Sequence, residues 1–235
     1  MASAAVKHYW GGSAHIWPPG QATVRFDQRG WGTSRTLPWP YHLDQFADEP
    51  GARRRRERVR AVRPRRALDG RQSEPARRGP QAAALAGLVL VAPAPPQPPA
   101  GVTEEYRRGL SHAYDSPETV QHALDDVLTA APLPEAVRTA AVRDCLTGAE
   151  TRREWPLRGI AQDITCAVRD IEVPVTVPAA ENDAVEPPDV LREYLLPHIQ
   201  HATLTTVPAA GHLLPAEAAG AVATVLADFL AHLQR

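Results

Sequence analysis

Nine of the fourteen residues from Arg53 to Arg66 are arginine, and only Val59, Ala61 and Val62 among them are apolar. That stretch cannot be a buried central strand, because each unpaired guanidinium would cost several kcal/mol or more to desolvate. Any sheet in this chain must therefore be assembled from the segments on either side. The formal net charge of −1 conceals the bias and gives no global pull toward nucleic acid or anionic membrane.

The flanking segments carry a clear alternation. Ala4 to His8 reads as a short strand and Ala22–Phe26 as a second. A turn-rich stretch, Asp27-Gln28-Arg29-Gly30-Trp31-Gly32-Thr33-Ser34, follows; its glycines suit a tight turn with a structural role. Residues 86–93 form a continuous apolar run, which suits a strand covered on both faces. From Thr103 to about Ile164 the spacing becomes helical. Ser116 is an N-cap with Pro117 at the first helical position, followed by Leu124, Val127 and Leu128 at helical intervals. Pro134 opens another helix, continued by Val142 and Leu146. A strand is predicted over Ile171–Val177, a helix over Asp189–Leu196, a last strand over Ala202–Val207 and a closing helix over Ala216–Leu233. Strands alternating with helices predict an α/β fold: a mostly parallel sheet with helices on both faces. At 235 residues the chain suits one domain of this class.

Several classes are not expected. No run of about 18 apolar residues is present to span a bilayer. The start, Met-Ala-Ser-Ala-Ala-Val-Lys-His, lacks the basic and apolar regions of a secretory signal. Cys145 and Cys166 form no metal or redox motif and are expected to be reduced and packed, as in a cytoplasmic protein. No metal site and no cofactor are expected.

Three places are candidates for chemistry. His212, in Gly211-His212-Leu213-Leu214-Pro215, lies in a loop after a strand and before a helix, where a general base can be placed. The alternative is a helix-entry histidine with no catalytic role. Asp183 follows the strand before it, within Ala180-Glu181-Asn182-Asp183, and can orient that histidine and stabilise its protonated form. The alternative is a turn residue, with Glu181 a weaker substitute in the catalytic role. In His8-Tyr9-Trp10-Gly11-Gly12, Trp10 would offer a backbone N–H to an oxyanion; the alternative is an ordinary glycine turn. No in-frame Gly-x-Ser-x-Gly exists. Ser73 is the nearest serine but lacks both glycines and a strand before it, so no nucleophile is assigned.

Taken in order, His8–Ser13, Phe26–Ser34, Leu88–Pro93 and Gly211–Leu213 resemble the α/β-hydrolase superfamily, particularly esterase-like and haloperoxidase-like members with a helical cap. The resemblance implies a Ser-Asp-His triad, with Asp183 and His212 as second and third members, and a small-molecule ester or related acyl substrate. It divides the chain into residues 1–101 as the first part of the hydrolase core, 102–165 as a helical cap and 166–235 as the rest of the core. Within the first part, residues 50–80 are arginine-rich and expected to be irregular or disordered.

Two departures from that pattern stand out. Ser13 to Gln21 is too short for a crossover helix if the two front strands are parallel neighbours, though not if they are antiparallel. The nucleophile and its central strand are absent, which leaves the expected sheet incomplete at its centre. Another reading frame offers an explanation. Ala67-Leu68-Asp69-Gly70-Arg71-Gln72 can be encoded as GCA CTC GAT GGG CGG CAA, which shifted by one base reads His-Ser-Met-Gly-Gly. Codons also exist for Arg63-Pro64-Arg65-Arg66 that read Val-Leu-Val-Gly in that frame. Together these make a strand and a nucleophile elbow at the expected place. The reading is therefore a serine hydrolase of this superfamily, impaired in the chain as written by a local frameshift. An inactive hydrolase-like binding protein is the alternative. Less favoured is a nucleic-acid binder using Arg53 to Arg66 as a basic arm, since no aromatics interleave the arginines.

Overall fold

Val175 to Ala180 is buried at every position, with side chains dividing between two apolar layers. Successive side chains of a strand point to opposite faces, so a strand buried throughout must be covered on both. The computed structural model describes residues 27–38, 85–146 and 150–234, and places this strand at the centre of what it describes. Three parallel strands stand in the order β1-β2-β3: β1 Leu88–Val89, β2 Val175–Ala180 and β3 Ala202–Val207. Leu88 pairs with Val175, and six pairs run from Val175–Ala202 to Ala180–Val207.

Leu88, Leu90, Val175, Val177 and Ala179 join one core. It is completed by Ile164 and Val168 near and within α5 (Thr165–Arg169), by Leu191 of α6 (Pro188–Tyr194), and by Leu195 and Ile199. The opposite face carries Val89, Val91 and Ala180 against Val222 and Leu226 of α8 (Ala219–His232) and Leu214 of the short α7 (Leu214–Glu217). Fully burying one such aliphatic side chain contributes about 1.5–3 kcal/mol. The two layers therefore hold β2 in place from both sides.

Between β1 and β2 lies a run of helices with its own core. It comprises α1 Glu104–Leu110, α2 Pro117–Ala123, α3 Glu135–Cys145, α4 Thr151–Leu157 and α5. The expected Ser116 cap forms reciprocally: its hydroxyl accepts from the Thr119 N–H, and its own N–H donates to Thr119 Oγ1. α2 runs into a π-helical turn, Leu124–Leu128. Thr129 closes that turn with its N–H and its hydroxyl, both donated to Leu124 O. Val120, Leu124, Leu128 and Leu133 pack with Ala141 and Cys145 of α3, and Leu213 from the His212 loop is part of that cluster. Both cysteines are free thiols; Cys145 is buried as expected, whereas Cys166, expected to be packed as well, is exposed on the short α5. Burial pushes the Cys145 thiol up to about 12, so it is packed as an apolar group rather than poised as a nucleophile.

Some boundaries depart from the sequence reading. The strand expected over Ile171–Val177 lies at Val175–Ala180 and includes Pro178. Even-numbered β2 residues bond toward β1: Pro174 O accepts from the Leu88 N–H and Thr176 O from the Leu90 N–H. In a parallel ladder the next donor toward β1 would be residue 178. Proline has no N–H to give, and the β1 pairing ends there while β3 continues on the other side. The closing helix expected as one piece is broken at Ala218 into α7 and α8. The strands expected at Ala4 to His8 and Ala22–Phe26 and the arginine-rich segment lie outside the described residues. No helix among the described residues is long and apolar enough to cross a membrane.

Candidate active site

Parallel strands deliver loops to one edge of a sheet, and the carboxyl edge is where open α/β folds bind ligands. Two loops leave that edge side by side. One follows β2 and carries Asp183; the other follows β3 and carries His212. The ladder continues beyond the strands to lace them together. Glu181 N–H donates to Val207 O at 2.9 Å, and Asn182 N–H to Ala210 O at 3.0 Å. Glu181 does not take the place of Asp183; its carboxylate instead accepts from the Ala209 N–H at 3.0 Å. Ala209 sits at φ +55, a left-handed conformation that alanine adopts only where its surroundings hold it.

Asp183 is fixed by its own turn. Its Oδ1 accepts from the N–H groups of Val185 and Glu186 at 2.8 and 2.9 Å, the side-chain-to-backbone closure for which aspartate is suited. The carboxylate faces His212, whose Nδ1 lies 2.9 Å from Oδ2 and 3.1 Å from Oδ1. His212 is 5% exposed and Asp183 is 4% exposed. Burial pushes the Asp183 carboxyl up, but the hydrogen bond and charge of His212, with the two backbone N–H groups, outweigh it and hold the carboxyl below its ordinary range. An ionised carboxylate can only accept, so Nδ1 carries the proton and Nε2 is left as the basic nitrogen. Beside this pair, burial, with the Asp183 charge adding to it, pushes the Glu186 carboxyl up to about 7.

The loop holding His212 is tied at alternate residues. Besides Ala209, Gly211 N–H donates to Glu217 Oε2 at 3.0 Å, and Leu213 N–H donates to Leu128 O at 3.1 Å. Glu217 gave no local signal in the sequence; a carboxylate five residues after the candidate histidine was the only hint. Gly211 cannot bear a side chain, because a Cβ there would lie 2.6 Å from the backbone nitrogen of Ala130.

The Asp27 loop is built as its glycines suggest. Asp27 Oδ2 accepts from the Thr33 N–H at 2.9 Å and its hydroxyl at 2.6 Å. Gly32, at φ +50, leaves room for that carboxylate, and Gly30, at φ +81, lies where any Cβ would overlap the Thr151 side chain of α4. Trp10, the candidate oxyanion donor, and Ser73 lie outside the described residues. No group of three or more metal-binding side chains is assembled among the described residues.

No protein-family model and no curated protein matches this chain. Solved structures do. A hydrolase from Pseudomonas aeruginosa PA01 is 22% identical, with a TM-score of 0.75 over 97% of this chain and 86% of that one. A thermophilic esterase from Thermogutta terrifontis is 19% identical, with a TM-score of 0.67 over 89% and 79%. A haloalkane dehalogenase variant from Bradyrhizobium elkanii is 15% identical, with a TM-score of 0.70 over 98% and 87%. Their shared architecture, a mostly parallel sheet with helices inserted and packed around it, is the one described above, and this chain has the α/β-hydrolase fold.

Proposed function

We propose that this chain descends from a serine hydrolase acting on an ester or related small acyl substrate, with His212 as general base and Asp183 as its orienting partner. The observation that carries the reading is the buried His212–Asp183 pair at the carboxyl ends of adjacent parallel strands. In such a site, Nε2 takes the proton from a serine hydroxyl as it attacks the acyl carbon, then returns it to the leaving group. Asp183 keeps the proton on Nδ1 and stabilises the imidazolium. Trp10 would donate its backbone N–H to the oxyanion. Residues 102–165 would be the cap that covers the acyl group. Hydrolysis of this type needs no cofactor, and we propose a cytoplasmic enzyme.

The chain as written has no Gly-x-Ser-x-Gly, so we expect it to be silent in catalysis. The test begins with the nucleotide sequence from the codon of Asp48 to that of Leu85. If the gene reads Gly-His-Ser-Met-Gly-Gly in frame, protein made from it should hydrolyse a p-nitrophenyl ester, and His212→Ala should abolish that activity. Activity that survives His212→Ala would overturn the assignment. If the arginine-rich frame is confirmed, the second reading gains: a hydrolase-like protein that binds a small molecule without turning it over. Salt-sensitive DNA binding lost on deleting Arg53 to Arg66 would favour the basic arm over both.

A further inference from the structure

The Glu217 carboxylate reaches away from α7 in two directions. Oε2 accepts from Gly211 N–H at 3.0 Å, one residue before His212. Oε1 accepts from the N–H groups of Ala130 and Ala131 at 2.7 and 3.3 Å, in the turn that leaves the π-helical end of α2. On the other side of His212, Leu213 N–H donates to Leu128 O at 3.1 Å. The backbone on both sides of His212 is thus fastened to one short turn, residues 128–131. The fit is close: Gly211 lies against that turn, where a Cβ would be 2.6 Å from Ala130 N and 2.9 Å from the Thr129 carbonyl carbon. A carboxylate shared by three amide donors makes charge-assisted bonds. Without it, all three donors would need other partners.

We propose that Glu217 is a positioning residue for His212, joining the His212 loop and the exit turn of the inserted helices into one unit, so that the seating of those helices sets the His212–Asp183 bond. Its catalytic meaning rests on the reading of His212 as the base, but the linkage is measurable without turnover.

The test is amide hydrogen exchange and proton NMR on the full chain and on Glu217→Gln, with Asp125→Asn as control. Glutamine keeps the length of the side chain but presents one acceptor oxygen where two are used. Asp125 belongs to the same helical insertion but pairs with Arg138 of α3 rather than with the His212 loop. In Glu217→Gln, exchange at Gly211, Ala130 and Ala131 should speed up about tenfold to a hundredfold. The low-field resonance of the His212 Nδ1–H held by Asp183 should broaden or disappear, while amides of β2 and β3 keep their rates. Asp125→Asn should do none of this. The proposal falls if the His212 resonance is unmoved in Glu217→Gln, even where Gly211 exchanges faster, or if the three amides keep their protection. A frame-restored protein that shows the linkage but hydrolyses no ester would remove the hydrolase reading and leave this one standing. An active one whose His212 resonance ignores Glu217→Gln would do the reverse.

Discussion

Asp27 and Asp183 are similarly buried, 5% and 4% exposed, and each accepts a backbone N–H from the turn that follows it. They differ in where a further partner comes from. For Asp27 it is the hydroxyl of the same Thr33 that supplies the N–H, and these two bonds close one loop upon itself. For Asp183 it is His212, 29 residues further along the chain and delivered by another strand. A carboxylate that binds donors of its own loop specifies the shape of that loop. One that divides its lone pairs between its own turn and a distant imidazole specifies a relation between two loops, and chemistry depends on such relations.

The contrast breaks most visibly in activity. In a frame-restored protein, Asp183→Asn should lower kcat for ester hydrolysis about 10⁴-fold, as expected when the imidazole loses its orienting acceptor. Asp27→Asn should change it by less than about tenfold; equal losses in the two variants would erase the distinction. Stability should order them differently. Asp27→Ala leaves two Thr33 donors without this acceptor and should cost about 1–3 kcal/mol, read as a lower denaturant midpoint at unchanged slope.

The pH dependence sharpens the Asp183 side. The Asp183 carboxyl is held below its ordinary range. Its contribution to stability is therefore present above the unfolded value of about 4 and lost as pH falls through the folded one. Glu186 runs the other way, raised from 4.5 to about 7. The folded state then holds more protons than the unfolded one between those values, so stability declines as pH rises across that window. Glu186→Gln should remove the decline and gain about 1–2 kcal/mol at pH 8, after allowance for partial exposure. A melting midpoint flat from pH 5 to 7 in the parent would contradict this. The smallest effect is at Thr33→Val, which loses the hydroxyl bond to Asp27 but keeps the N–H bond. It should cost about 1 kcal/mol, visible in thermal unfolding and absent from any signal of His212.

Elements bounded by local chemistry were legible in the sequence. Ala202–Val207 is a strand at the expected residues, and Ser116-Pro117 starts a helix where its capping chemistry says it should. The β2 boundary was not legible, because Pro178 disqualifies a strand only if its missing N–H faces a paired neighbour, and pairing is a property of the sheet. The juxtaposition of Asp183 and His212 could be anticipated from strand, loop and helix order. Glu181 and Glu217 could not, since they act on backbone N–H groups that other segments bring to them. In the arginine-rich stretch the obstacle is chemical: no pattern in Arg53 to Arg66 describes a strand.

Pro178 has one more consequence. Parallel strands can slip along each other by two residues without exchanging faces, and an apolar run such as Leu88–Val91 has little of its own to forbid it. In the observed register the missing donor of residue 178 falls at Leu90, where the ladder ends; slid two places forward, β1 would meet it at Leu88, inside its ladder. A single ring in β2 thus acts as an end-stop for its neighbour. It disfavours a forward slip of β1 along the strand that carries the Asp183 loop.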